Sequence, residues 1–231
     1  MLSRSTAFSL LLLFAAALTH SPAQSALPAM KSFKEVDFNM TFIYPAGFIP
    51  AKAGTTAPTT YTIPTTKPEK PRCVQTPLSV GSNAAGTSAL VFSIIDDACP
   101  TILREAQKLG TFAQAQILRQ LQSYGTPAIT MSSRSYTLDG RSAAVVLASA
   151  TPAPTASPAP PVTTYAAKVC MFGREQAYTF GKVPTQLTAA HSIICFDFTT
   201  HKHDGLEPLL ALPVIFDDLP PRSLVPAALL R

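Results

Sequence analysis

Regular alternation of large hydrophobic side chains with smaller or polar ones marks the first predicted strand, at residues 36–44. Five bulky residues occupy every second position there, from Val36 to Tyr44. A period of two is typical of a β-strand with one buried face. Pro45 ends the pattern, and residues 51–72 form a Thr- and Pro-rich segment that we predict to be a long surface loop.

Two later pairs of short apolar runs predict β-hairpins. Residues 73–80 and 89–95 flank a turn-forming cluster of Gly, Ser, Asn and Ala, and residues 128–138 and 141–150 flank Asp139-Gly140. An Asp-Gly pair between two extended runs is a strong hairpin signal, because both central residues of such a turn need a positive φ. Further strands are predicted at residues 162–172, 176–180 and 192–199.

The hydrophobic period changes to that of helices after Pro100. Apolar residues recur at helical spacing up to Leu109, and Gly110 is predicted to end a first helix there. A second helix is predicted at residues 111–125 and a last one at residues 205–212. Each of the first two has one apolar stripe, which we expect to pack against the sheet.

Consecutive predicted strands are joined by turns or loops rather than by helices, which indicates an antiparallel sheet. We therefore expect one α+β domain at residues 26–218, with helices packed on the faces of a mainly antiparallel sheet. The Pro-rich stretch at residues 151–161 lacks the amide donors of a strand and is predicted to be an insertion. Residues 219–231 are predicted to form a Pro-rich C-terminal tail.

The start of the chain has the pattern of a secretory signal peptide. Arg4 precedes an apolar run at residues 7–18, which is shorter than the roughly 20 residues needed to span a bilayer. Ala23 and Ser25 meet the small-residue requirement of a signal peptidase, so residues 1–25 are predicted to be removed on export. We expect a periplasmic or extracellular protein, with no stable membrane insertion of the mature chain.

Composition narrows the class of partner. Charged residues make up 13% of the 231 residues, against roughly 25% in an average soluble domain. The formal charge is +5, and the basic residues are scattered, without the interleaved aromatic residues of a nucleic-acid site. We therefore expect no nucleic-acid partner, and the protein or envelope component that the chain binds stays unknown.

Export changes the interpretation of the four cysteines, because disulfides persist outside the cytosol. Pairing of neighbours along the chain, Cys73 with Cys99 and Cys170 with Cys195, would close two loops of about 25 residues. A single bridge with two buried thiols is the alternative. The spacings lack the C-x-x-C pairs of a zinc site, which disfavours metal binding by these residues.

Strand alternation places the second cysteine pair on one side of the sheet. In residues 192–199 three bulky side chains share one face and leave Cys195 with Asp197 on the other. In the preceding long strand, Cys170 shares its side with Lys168. We therefore expect both cysteines on the less buried side of the sheet.

A polar cluster after the last long strand is the main candidate for chemistry. His201 and His203 are two residues apart, so an extended backbone would direct both imidazoles to one side, as in many metal sites. Asp204 or His191 could complete such a site. The alternative is structural, with Asp204 as the cap of the last helix and Glu207 as its partner in a capping box.

The sequence lacks the motifs of several common enzyme classes. It contains no G-x-S-x-G, Walker loop, G-x-G-x-x-G or H-E-x-x-H, which serine hydrolases, nucleotide-binding folds and zinc proteases require. Asp96 and Asp97 are adjacent at a strand end and point to opposite faces, and Asp97 is better explained as a helix cap. We therefore expect no catalytic residue and no cofactor.

The segment Phe-Ile-Tyr-Pro-Ala-Gly-Phe at residues 42–48 resembles the opening strand and turn of the PsbP-like fold. Leu-Asp-Gly-Arg at residues 138–141 resembles a hairpin of the same family, and the resemblance covers residues 33–217. The fold is named for an extrinsic subunit of the oxygen-evolving photosystem. It is shared with a Ran-binding nuclear import factor and many small exported bacterial proteins.

The resemblance implies an αβα sandwich that serves as a binding or scaffolding module and has no shared catalytic residues. No functional residue is transferred, because the matching positions form turns and core. The long loop, the Pro-rich insertion and the four cysteines depart from the family. We therefore expect an exported non-catalytic binding or scaffolding module of unknown partner; the alternative is a metal-handling protein or enzyme that uses His201, His203 and Asp204.

Overall fold

Antiparallel strands make up most of the computed structural model. It describes residues 29–35, 39–49, 59–62, 72–83, 86–95, 106–122, 127–153, 160–172, 178–180, 183–185 and 192–230. The strands are β1 (Met30–Glu35), β2 (Met40–Pro45), β3 (Thr59–Thr62), β4 (Arg72–Ser82), β5 (Ser88–Ile95), β6 (Ile129–Leu138), β7 (Arg141–Ala150), β8 (Thr164–Phe172), β9 (Tyr178–Phe180), β10 (Val183–Thr185), β11 (Ser192–Thr200), β12 (Pro213–Phe216) and β13 (Arg222–Ser223). The helices are α1 (Ala106–Gln122) and α2 (Leu206–Leu210), with 3₁₀ turns at His203–Gly205 and Ala227–Leu229.

The strands form two main sheets. The large sheet has the order β3-β4-β5-β11-β8-β7-β6, and the small sheet has the order β1-β2-β12-β13. β9 and β10 pair with each other. Every pairing is antiparallel, so the α+β class and the antiparallel sheet predicted from the sequence are confirmed.

One face of the large sheet, the inner face, packs against the small sheet and α2. Its core contains Val145, Val169 and Phe196 from the large sheet, together with Phe42 and Phe216 from the small one. The rings of Phe42 and Phe196 lie 5.2 Å apart and tilted, a favourable aromatic geometry. This core therefore joins the two sheets.

The opposite face of the large sheet, the helix face, is covered by α1. The helix contributes Leu109, Ala113, Ile117 and Leu121 at helical spacing, and all four are buried. They pack on small side chains of β7 and β8, such as Ala144. The second layer on the inner face is a sheet with a five-residue helix, so helices on both faces, as in an αβα sandwich, are not confirmed.

The two predicted hairpins are present as β4–β5 and β6–β7. Asp139 and Gly140 have φ values of +47° and +78°, as an Asp-Gly turn requires. Of the predicted first strand at residues 36–44, β2 accounts for the part from Met40 onwards, whereas residues 36–38 lie outside the described residues. The predicted loop at 51–72 contains the short strand β3.

Two predicted ends of elements are wrong for the same reason, which is burial. Gly110 does not end a helix, because α1 runs through it, and a Cβ there would lie 3.8 Å from that of Ala144. Close packing on the sheet outweighs a propensity cost of about 1 kcal/mol. Residues 219–231 do not form a separate tail, since Leu224 and Val225 are fully buried in the core between the sheets.

Several predictions fall on parts of the chain outside the described residues. These are the signal peptide at residues 1–25, Asp96, Asp97, Cys99, His191 and most of the Pro-rich insertion at 151–161. The pairing of Cys73 with Cys99 therefore stays a prediction. Within the described ranges, no helix has the length and apolar character needed to cross a lipid bilayer.

Candidate functional site

The helix face carries a disulfide and an ion pair side by side on two neighbouring strands. Cys170 of β8 lies opposite Cys195 of β11, and the two sulfurs are bonded. Lys168 and Asp197 lie two residues from these cysteines on the same two strands, and they are also opposite each other. Lys168 Nζ donates a hydrogen bond to Asp197 Oδ1 at 2.6 Å. The predicted pairing of Cys170 with Cys195 is thus present in the structure.

Both groups are deeply buried, which corrects the expectation that this was the less buried side. Cys170 and Cys195 are fully buried, and the side chains of Lys168 and Asp197 are 2% and 6% exposed. The reason is α1, whose apolar stripe covers this face. Alternation separates the two faces of a strand, but it does not say which face another element covers.

Burial shifts both pKa values of this pair in the direction of the neutral forms. Desolvation lowers the pKa of Lys168, while the nearby Asp197 charge and hydrogen bond oppose the shift. Desolvation likewise raises the pKa of Asp197, against the attraction of Lys168. The charged forms therefore depend on each other, because each supplies the compensation that water would otherwise give.

Polar atoms without hydrogen-bond partners lie among the buried residues of this face. Asp197 Oδ2 has none in the structure, and neither the nitrogen nor the oxygen of the Gln116 side-chain amide has one. Gln116 belongs to α1 and is 6% exposed. A buried ion pair with one partner on β8 and the other on β11 acts as a structural link between these strands.

A second buried charge lies at the hairpin between β6 and β7. Arg141 follows the turn, is 4% exposed in its side chain, and donates from Nη2 to Asp217 Oδ2 at 2.9 Å. Its guanidinium carbon lies 4.2 Å from the centroid of the Phe216 ring, a cation–π contact. In the turn itself, Oδ1 of Asp139 lies 3.6 Å from Nε of Arg222. This cluster ties the hairpin to the C-terminal segment.

The histidine cluster predicted from the sequence does not converge. His201 lies against the turn between β4 and β5, where a Cβ on Gly86 would be 3.2 Å from its Cδ2. His203 contacts the ring of Tyr165 on β8 edge-on, with centroids 5.2 Å apart. Because β5 and β8 flank β11 on opposite sides, the two imidazoles diverge.

Asp204 does not serve as the predicted helix cap. It lies inside the 3₁₀ turn that precedes α2, and the capping position belongs to Gly205, with no side-chain cap. Both His203 and Asp204 are exposed. Among the described residues, no group of three or more His, Cys, Asp or Glu side chains is arranged to hold a metal ion. Asp197, which lies within β11, is buried and paired with Lys168.

The outer edge of the large sheet at β6 is the most accessible regular element. β6 pairs with β7 alone among the described strands, and six of its ten residues are exposed. They include Ile129, which is 66% exposed, and Met131, which is 46% exposed. From Ser132 to Leu138 the register with β7 is uninterrupted. This edge is a candidate binding strand.

One of these features, the Lys168–Asp197 ion pair, has a signal in the sequence. If a disulfide joins Cys170 to Cys195 in antiparallel strands, Lys168 and Asp197 must lie opposite each other. The pair was therefore predictable once the disulfide was assumed. The accessible edge was not, because the order of strands in a sheet cannot be read from alternation.

Comparisons with known proteins give a weak likeness of fold. No protein-family model and no curated protein matches the chain. The structure is similar to the solution structure of cyanobacterial PsbP (CyanoP) from Synechocystis sp. PCC 6803, with a TM-score of 0.45 and 13% sequence identity, over 83% of this chain and 92% of that one. The weak resemblance to the PsbP-like fold stated from the sequence is thus found in the structure as well. A likeness of this size says nothing about function.

Proposed function

We propose that this chain is an exported, non-catalytic binding module and that β6 is the strand through which it binds. The observation that carries the proposal is the length and exposure of β6 at the edge of the large sheet. A strand edge presents unpaired amide and carbonyl groups, which an extended segment of another protein can pair with. Binding by strand addition needs no catalytic group.

The two edges of the large sheet differ in a way that supports this role. β3, at one edge, has four residues, whereas β6 has ten. Natural proteins protect edges with short strands, prolines, charged side chains (most often lysine) or bulges. β6 contains no proline and no lysine, and its one break in register lies near its start, between Thr130 and Ser132. Between Ser132 and Leu138, the strand carries one of these protections, the charged side chain of Arg134.

Other features support export and a binding role. The disulfide between Cys170 and Cys195 is buried in the core, and structural disulfides persist in oxidising compartments such as the periplasm. The buried charges Lys168 and Arg141 are held in ion pairs, which suits a rigid scaffold. The finer architecture that we propose with this role is the αβα sandwich, in which α2 and the small sheet together form the second outer layer. The metal-handling alternative has less support because the two histidines diverge.

Proline substitutions in β6 test the proposal with an internal control. In an antiparallel edge strand, successive N–H groups alternate between the neighbouring strand and the outside. Ser132→Pro and Ser133→Pro, made separately, should therefore differ in thermal midpoint. The variant that removes a hydrogen bond to β7 should have a lowered midpoint, whereas the variant that removes an outward N–H should keep its midpoint and block only the outer edge. The second kind of variant is the informative one.

The assay is capture of partners from the native envelope fraction by the immobilised mature chain, residues 26–231. We expect the β6 variant with an unchanged thermal midpoint to lose capture at least tenfold. Ser32→Pro on β1, the edge of the small sheet, is the matched control and should retain capture. Equal capture by the wild type and the stable β6 variant would show that this edge is not the binding strand.

A further inference from the structure

The single charge on β6 indicates what kind of segment would pair with it. Arg134 is the only charged residue among the ten of the strand, and it is exposed. In the register with β7 it lies opposite Val145. Arg134 forms no ion pair within the described part of the chain.

Among the described residues, the β7 positions next to Arg134 carry no negative charge. The nearest positions of β7 on the same face are Ala143, Val145 and Leu147, all apolar. A neighbouring strand on the outer side would place its side chains about 5 Å from those of β6 on the same face. The charge of Arg134 is therefore open to compensation from a strand added at this edge.

A second copy of the chain is a poor occupant of the edge. Symmetric antiparallel pairing of β6 with itself would bring two Arg134 side chains to the same strip of sheet. Neither strand carries an acidic residue to offset them, and like charges across neighbouring strands are destabilising. An uncharged segment would pair with the backbone but would leave the guanidinium without a partner.

We infer that the partner segment is an extended acidic peptide, with an Asp or Glu side chain opposite Arg134 and apolar side chains near Ile129 and Met131. This inference rests on the proposed function and adds the chemistry of the partner to it. The added strand supplies backbone hydrogen bonds, and the opposite charge fixes its register. Ile129 and Met131, exposed near the start of β6, give the apolar end of the segment a surface to cover.

Peptide selection tests the inference directly. A library of random ten-residue peptides displayed on phage is selected against the wild-type mature chain and against Arg134→Glu, Arg134→Lys and Lys31→Glu. Lys31 is exposed on β1, at the edge of the small sheet, so Lys31→Glu makes the same change in net charge at another edge. We expect Asp and Glu to be enriched with the wild type, Arg134→Lys and Lys31→Glu, and Lys and Arg to be enriched with Arg134→Glu.

Affinities of a selected acidic peptide then give the size of the effect. Replacement of its acidic residue by the matching amide should weaken binding about threefold to fivefold, as expected for one exposed pair across strands. The effect should shrink at high salt because the pair is screened. The same peptide should bind Arg134→Glu more weakly than it binds Lys31→Glu.

The outcomes separate this inference from the proposed function. Selected peptides without an excess of acidic residues, or acidic peptides that bind Arg134→Glu as well as the wild type, would overturn the inference. If the stable β6 proline variant still loses its envelope partner in that case, the binding strand is correct and only the partner chemistry is wrong. A dimer of the mature chain that the same proline variant abolishes would identify a second copy as the occupant and would also overturn the inference.

Discussion

Removal of one member of the buried Lys168–Asp197 pair should strongly destabilise the fold, whereas removal of both should not. Nζ of Lys168 and Oδ1 of Asp197 are 2.6 Å apart, with side chains 2% and 6% exposed. A buried charge that loses its partner costs about 3–5 kcal/mol, against a total stability of about 5–15 kcal/mol for a typical domain. We therefore expect Lys168→Met and Asp197→Asn each to lower the thermal midpoint by about 6–20 °C.

The double variant Lys168→Met/Asp197→Leu provides the decisive comparison. Replacement of a buried ion pair by apolar groups of similar volume is often neutral, or stabilising by about 1–4 kcal/mol. The double variant should therefore have a free energy of unfolding close to that of the wild type. If the losses of the two single variants simply added, the double variant would instead be unfolded. The coupling between the two positions then exceeds that of ordinary neighbours, which is about 0.5–3 kcal/mol.

The two single variants should respond to pH in opposite directions. In Lys168→Met, burial raises the pKa of Asp197 without an opposing cation, so the protonated carboxyl favours the fold at low pH and this contribution is lost as the pH rises through the folded pKa. In Asp197→Asn, burial lowers the pKa of Lys168, so the penalty lasts while the amine is protonated and is relieved as the pH rises towards the ordinary lysine value.

The measurement is chemical denaturation of the mature chain, followed by circular dichroism between about pH 4 and pH 10. Lys31→Met, at an exposed position, is the matched control and should change stability by no more than about 0.5 kcal/mol. Costs below 1 kcal/mol for both single variants, or a double variant as unstable as the sum of the two, would refute the view that each charge compensates the burial of the other.

Two other links within the fold have measurable costs. Cys170 and Cys195 are separated by 25 residues, so their double replacement by Ala should cost about 3.5 kcal/mol in the loop-entropy model, measured by urea denaturation against the oxidised wild type; no change would contradict a structural role. The Tyr136 hydroxyl donates to the Leu224 carbonyl at 2.7 Å, so Tyr136→Phe should cost about 1–3 kcal/mol because that carbonyl loses its donor; a cost below about 0.5 kcal/mol would count against this hydrogen bond.

Local patterns predicted the parts of the fold that local chemistry determines. The hairpins β4–β5 and β6–β7 were predictable because turn residues and alternation act over a few residues. The continuity of α1 through Gly110 was not, since a glycine stops an isolated helix more readily than one packed on a sheet. Proline-rich composition likewise suggested a tail at residues 219–231, but two apolar residues within it, Leu224 and Val225, complete the core.

The candidate sites show the same division between local and distant information. His-x-His suggested convergence because it assumed an extended backbone, but a 3₁₀ turn begins at His203 and the rings diverge to opposite sides of β11. Lys168 and Asp197 follow from the register that the disulfide sets, while their burial depends on the placement of α1.

The proposed role of β6 depends on its place at the end of the strand order, which is set by the arrangement of the whole sheet and not by local sequence. Its sequence resembles that of an ordinary half-buried strand, with polar residues alternating around Tyr136 and Leu138. In the middle of a sheet, a strand of this composition would have its backbone groups paired on both sides and would expose only the polar side chains of one face. At the edge of the sheet, the outward backbone donors and acceptors of the same residues have no neighbouring strand among those that the structure describes. Edge strands are commonly protected by charged side chains or prolines, and β6 has one such residue, Arg134, so the proposed partner strand is expected to pair with the edge around this charge.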